Sequence, residues 1–169
     1  MFRGAVLPAC LIAACAAAMP LRAQEPQRAL DLASFPRTTL EIAHHSGDHA
    51  ARSSFQVWIA DTPERAAQGL MFVSDLPESM GMVFPFQPPR VENMWMKNTY
   101  IELDMLFIDE HGRITKIIQR AVPLSLQTLS SDTPVAAVLE LRGGEAAKLG
   151  LQNGDTVTWK KPPASRPSG

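Results

Sequence analysis

The chain has 169 residues, a formal net charge of −1 and 46% hydrophobic residues. That length and composition fit one ordinary globular domain plus appendages. The near-neutral charge argues against nucleic acid as a partner, which usually requires a basic footprint.

The first residues have the pattern of an export signal. Arg3 supplies one positive charge, Ala5 to Met19 is apolar and Ala-rich, Pro20 follows, and the chain turns polar from Arg22. This arrangement reads as a secretory signal peptide over residues 1–23. An apolar run of about 15 residues is short of the roughly 20 that a membrane-spanning helix needs. Cleavage after Ala23 predicts a periplasmic or secreted protein whose mature form has no transmembrane segment. Ile12-Ala13-Ala14-Cys15 also resembles a lipobox, which would instead leave a lipid anchor on Cys15. Cys10 is the only other cysteine, so cleavage after Ala23 would remove both and leave no disulfide or thiol chemistry.

Residues 24–36 mix Gln, Glu, Pro, Arg and Ala and read as a linker. Arg37 to Ala43 holds a strand with Leu40 and Ile42 on one face. His44 to Ser53 reads as a polar loop with a Ser-Gly-Asp turn, and Phe55 to Ala60 alternates as a second strand. Asp61-Thr62-Pro63-Glu64 starts a helix: Asp61 or Thr62 can cap it, and Pro63 is pre-set for the first helical position. Gly69 stops it after Gln68. Met82 to Phe86 is a short strand, and Gln87-Pro88-Pro89-Arg90 a turn with too few donors for a central strand.

Glu92 to Asn98 and Leu103 to Ile108 read as two strands of a central hairpin split at Thr99 to Glu102. Asp109 to Gly112 turns into a returning strand, Arg113 to Gln119. Val135 to Leu141 is an apolar strand interrupted only by Glu140, Glu145 to Leu149 a short helix, and Thr156 to Lys160 the last strand. Residues 162–169 are rich in Pro and Ser and read as a disordered tail. The expectation is one mostly β domain (α+β) over residues 37–161, with two short helices and a small barrel-like or curled antiparallel sheet.

Four blocks follow one another: T-P-E-R-A-A-Q-G-L-M (62–71), G-M-V-F-P-F (81–86), M-W-M-K-N-T-Y-I-E-L-D-M-L-F-I-D (94–109) and V-L-E-L-R-G-G-E-A-A-K-L-G-L-Q-N-G-D-T-V (138–157). In this order they resemble the family called domain of unknown function 192, over about residues 54–159. The resemblance implies a small barrel-like β-rich domain, often exported in bacteria, and no established activity.

Within Asn93 to Asp109, polar Lys97, Asn98, Thr99 and Asp104 interrupt an apolar run. Buried polar groups must be paired. Lys97 and Asp104 therefore read either as a polar pocket, with Asp104 as a base, or as an internal pair that fixes strand register, with Glu140 as the other candidate partner for Lys97; alternation could also place Lys97 outside, opposite Met96. No Ser, His or Cys nucleophile accompanies them, so no catalytic residue is assigned. Trp95 beside these polar residues would suit a small molecule, a glycan or a partner protein. Met80-Gly81-Met82 and Met94-Trp95-Met96 put two thioethers on one strand face, which would suit Cu(I) or would simply fill a core. His44, His45 and His49 lack metal-ligand spacing and read as a solvated loop. No zinc spacing, phosphate loop or dinucleotide fingerprint occurs, and no cofactor is implied. The functional expectation is a non-catalytic binding module. Metal handling through the methionines and an enzyme using Lys97 and Asp104 stand as alternatives.

Overall fold

A computed structural model describes residues 29–47 and 49–160; the signal segment, Cys10, Cys15 and the C-terminal tail lie outside the described residues. The strands are β1 (Arg37–Ser46), β2 (His49–Ile59), β3 (Met80–Arg90), β4 (Asn93–Met94), β5 (Leu103–Ile108), β6 (Ile114–Ala121), β7 (Leu129–Ser130), β8 (Val135–Arg142) and β9 (Thr156–Trp159). Two short helices, α1 (Pro63–Gln68) and α2 (Glu145–Leu149), follow β2 and β8. Seven strands form one sheet in the order β6-β5-β8-β3-β2-β1-β9, and β4 pairs with β7 as a separate ribbon.

The large sheet curls until its two edges touch at one corner. Arg113, just before β6, bridges Thr156 of β9. Around it Ile114 donates to the Asp155 carbonyl at 2.9 Å and Val157 to the Gly112 carbonyl at 2.7 Å. The rest of the two edges stays unpaired with each other, so the sheet is curled and not a closed barrel.

Both faces of the sheet are covered, which explains why β5 and β8 read as continuous apolar runs. Leu40, Ile42, Phe55, Val57, Leu106, Leu139 and Val157 fill the concave face, together with Ile114 from the opposite edge. Met82, Phe84, Leu103, Met105, Phe107 and Val138 point to the convex face. Leu70, Leu76 and Met96, from the segments after α1 and β4, pack over them.

Local rules place α1 as expected. Thr62 caps it, accepting from the Arg65 amide at 3.3 Å, and Gly69 ends it at φ 51°. The stretch read as a linker docks where it is described. Phe35 is buried in the convex-face core, Arg65 lies 5.6 Å over its ring, and Ile59 donates to the Pro36 carbonyl at 2.8 Å.

Several expectations are corrected. The sheet is mixed, because β2 and β3 are parallel: α1 and the loop after it carry the chain back across the sheet before β3 begins. His44 to Ser53 is not a loop. It is the end of one hairpin, paired from Arg37↔Trp58 to Ser46↔His49, and its backbone ladder needs no apolar side chains. Gln87 to Arg90 continues β3. The β3–β8 register breaks between Pro85 and Arg90, so the prolines sit where ladder donors are not required. Of Glu92 to Asn98 only Asn93–Met94 is strand, and β5 pairs with β6 and β8. Asn93 to Asp109 is therefore a covering loop followed by a core strand, not a hairpin.

Candidate functional site

Residues grouped together in the sequence are separated in the fold. Asp104 is fully buried, and its carboxylate accepts three backbone N–H groups: Arg120 at 2.8 Å and Gly144 at 3.0 Å on Oδ1, and Ala146 at 2.8 Å on Oδ2. Gly144, at φ 90°, precedes α2 and offers no capping side chain. Asp104 takes that role from another strand, so one carboxylate ties β5, β6 and the start of α2 together.

Lys97 is exposed, with its ammonium 5.3 Å above the Trp95 ring. It does not reach Asp104 or Glu140: among the described residues the ion pairs involve neither Lys97–Asp104 nor Lys97–Glu140. The expected internal pair and the shared Lys97–Asp104 pocket are therefore corrected. Lys97 sits in a surface loop facing water, while the aspartate already has three donors.

Asn98 and Thr99 shape the loop. Asn98, at φ 56°, accepts at its carbonyl from the Phe72 amide, and its side-chain amide donates to Met71 Sδ at 3.8 Å. Thr99 is buried, with its hydroxyl donating to the Lys97 carbonyl at 3.4 Å. In each methionine pair one member is sealed: Met82 and Met96 have no exposed surface, while Met80 and Met94 are half-buried against the same convex-face core. Each pair thus packs onto the core, the space-filling arrangement expected of thioethers.

Glu140 is different. On β8 it points to the convex face, between Met82 of β3 and Met105 of β5, its register partners. It is 4% exposed, and Oε2 has no hydrogen-bond partner. Burial pushes its carboxyl up to about 8, because a charge is disfavoured away from water. Gly81 makes the close approach possible here. A Cβ on it would stand 2.4 Å from the Glu140 carbonyl oxygen.

Glu140 is among the residues that line a cleft of about 110 Å³. Ala66 to Met71 form one wall, Phe84, Phe86 and Arg90 of β3 another, and Glu92 to Trp95 with Thr99 the third. Trp95 is 51% exposed. Gly69 keeps the cleft narrow, since a Cβ there would come within 3.2 Å of the Phe84 ring. Arg90 stacks 4.5 Å over Phe86 and is held by Glu92 at 2.7 Å, so these two charges balance.

Trp95, Thr99 and Glu140, and Met94 of the methionines, are the expected residues that converge here. Met71, Phe84, Phe86 and Arg90 were not foreseen, because they come from distant segments and look like ordinary core or turn residues. A second, wider cavity of about 720 Å³ is bounded by the β1–β2 hairpin end and the turn before β9. His44 is buried there, 2.9 Å from Ser53 Oγ, and is not in a solvated loop. Among the described residues no cluster of three His, Cys, Asp or Glu could hold a metal ion.

A curled mixed sheet, covered on both faces and carrying a small cleft on its convex side, defines a compact β-rich domain of the α+β class. The chain belongs to the family described as "DUF192: Uncharacterized ACR", whose model matches residues 43–159. It resembles a crystal structure from Sinorhizobium meliloti 1021, a "putative transcription regulator", with 36% identity and a TM-score of 0.71, covering 75% of this chain and 95% of that one. It also resembles a protein of unknown function from Novosphingobium aromaticivorans DSM 12444, with 36% identity and a TM-score of 0.69, covering 73% of this chain and 85% of that one. No curated protein matches the sequence. Among the described residues no helix is long and apolar enough to cross a membrane.

Proposed function

We propose that this chain is an exported, non-catalytic binding module whose ligand site is the cleft between Trp95 and Glu140. One observation carries the reading: Glu140, which has a buried carboxyl oxygen without a partner, is among the residues lining a cleft edged by an exposed Trp. Leaving such an oxygen unpaired costs roughly 1–3 kcal/mol. A fold does not need that cost, since an apolar residue would pack there more favourably. A ligand that donates a hydrogen bond recovers it. The cleft admits a small group, either a free small molecule or one side chain or sugar unit of a larger partner. A role in transcription, the description of the Sinorhizobium protein, has no support from the formal net charge of −1.

The test is a fragment screen by protein NMR on the exported form. Binders should shift the Trp95 indole and the Thr99 and Glu140 amides, and those shifts should vanish in Trp95→Ala. Fragments that bind only elsewhere, or none at all, would remove the cleft from consideration. Intact mass of the exported protein distinguishes a chain starting at Gln24 from one lipidated at Cys15.

A further inference from the structure

We propose that the cleft receives an organic ammonium group that keeps at least one N–H, with the N–H donating to Glu140 Oε2 and the alkyl carbons lying against the aromatic and thioether walls. The proposal deepens the ligand-site reading above and rests on it. The donor requirement comes from Oε2, which is buried and unpaired. The cation preference comes from the rest of the lining. Trp95, Phe84, Phe86, Met71 and Met94 surround the cleft. Aromatic faces attract alkylammonium ions through the ring quadrupole, and thioethers are soft and polarisable neighbours. A cage of aromatic rings closed by one acid is a general solution for holding such ions.

Arg90 over Phe86 and Lys97 over Trp95 each already use one face of a ring, so the Phe84 ring, the remaining faces and the acid are what a further cation would meet. Arg90 and Glu92 line the cleft but neutralise each other at 2.7 Å. Lys97 stays on Trp95, 5.3 Å from its centroid, and is not part of the lining. Burial alone accounts for the raised Glu140 carboxyl, with no neighbouring cation pulling it down. An arriving ammonium would be that missing cation. On binding, the carboxyl O–H breaks and its proton passes to solvent, while the ammonium keeps its own N–H and becomes the donor. The cleft volume of about 110 Å³ fits a headgroup of a few heavy atoms and excludes a large ring system.

The experiment titrates the full exported chain with n-butylammonium at pH 7, followed by NMR and by calorimetry in two buffers of different ionisation enthalpy. Expected are saturable shifts at Trp95 and Thr99, proton release seen as a buffer-dependent heat, and affinity about tenfold above that of n-butanol, equivalent to about 1.4 kcal/mol. Trimethylbutylammonium, which lacks the N–H, should also bind about tenfold more weakly than n-butylammonium. Glu140→Gln should remove the preference for the ammonium and the proton release while the variant stays folded. A free amine and a lysine side chain share this chemistry. Nα-acetyl-lysine N-methylamide separates the two sources, and preference for either probe supports the ammonium class. If n-butanol binds as well as n-butylammonium, or Glu140→Gln leaves the ammonium affinity intact, the ammonium proposal is overturned and the cleft remains a ligand site. If no probe moves Trp95 or Thr99, the ammonium proposal falls, and the fragment screen alone decides the wider reading.

Discussion

Asp104 on β5 and Glu140 on β8 lie one register step apart, since Asp104 pairs with Leu141 and Met105 with Glu140. They point to opposite faces of the same sheet, and both are buried. Asp104 has three backbone donors within 3.0 Å, whereas Glu140 has an oxygen with none. A buried acid that satisfies orphan amides is part of the scaffold. A buried acid left unsatisfied beside a cleft has no such scaffold role, and the proposed ligand site rests on it. Burial alone does not distinguish these roles; the count of donors does.

Replacing each acid breaks the comparison in a different way. Asp104→Ala should have the largest effect, leaving three amides without acceptors and costing on the order of 3–5 kcal/mol in urea unfolding. A loss under about 1 kcal/mol would mean that the amides find other partners.

Glu140 should show itself through pH. Its folded carboxyl titrates at about 8, above the ordinary 4.5. Between these values the folded state keeps a proton that the unfolded chain has released. The stabilisation is therefore complete below about 4.5 and is lost as pH rises through 8, by on the order of 5 kcal/mol in total. Urea unfolding of the parent protein and Glu140→Gln from pH 4 to 8 should show that slope in the parent alone. Parallel curves would contradict an isolated buried acid.

Gly81→Ala sharpens the same comparison from the backbone side. The new Cβ would stand 2.4 Å from the Glu140 carbonyl, so β3 must move off β8, at about 1–3 kcal/mol. It should broaden the Glu140 and Trp95 NMR signals and leave those near Asp104 unchanged. Thr62→Ala removes the α1 cap for about 1 kcal/mol, and it should leave the Glu140 titration alone. A shift in the Glu140 titration would show that α1 controls the cleft wall directly.

Much of the fold was readable because local rules decided it. Thr62, Pro63 and Gly69 define α1 by capping, backbone preference and left-handed geometry. Leu40, Ile42, Phe55 and Val57 mark core-facing strands by alternation. The parallel β2–β3 pair was not readable, since strand direction depends on where the chain returns after α1. Asn93 to Met96 misled because residues that cover a convex face are as apolar as residues within a strand.

The site divides in the same way. Glu140 stood out as one acid in an apolar strand, and Trp95 by its setting among polar residues. Asp104 stood out equally, yet its three donors come from residues 16 to 42 positions away, which no local pattern encodes. Lys97, among apolar neighbours, could be read as buried or, by alternation with Met96, as outward; it lies in a loop that turns it outward.

The proposed ligand site depends on the isolation of the Glu140 carboxyl, and ¹³C NMR titration of its side-chain carboxyl measures this directly. In the free protein the carboxyl carbon should titrate with a midpoint near 8, as burial without a partner requires. Saturating n-butylammonium should move that midpoint down. A midpoint in the ordinary range near 4.5 in the free protein would show that the carboxyl is hydrated or paired, and would contradict the account.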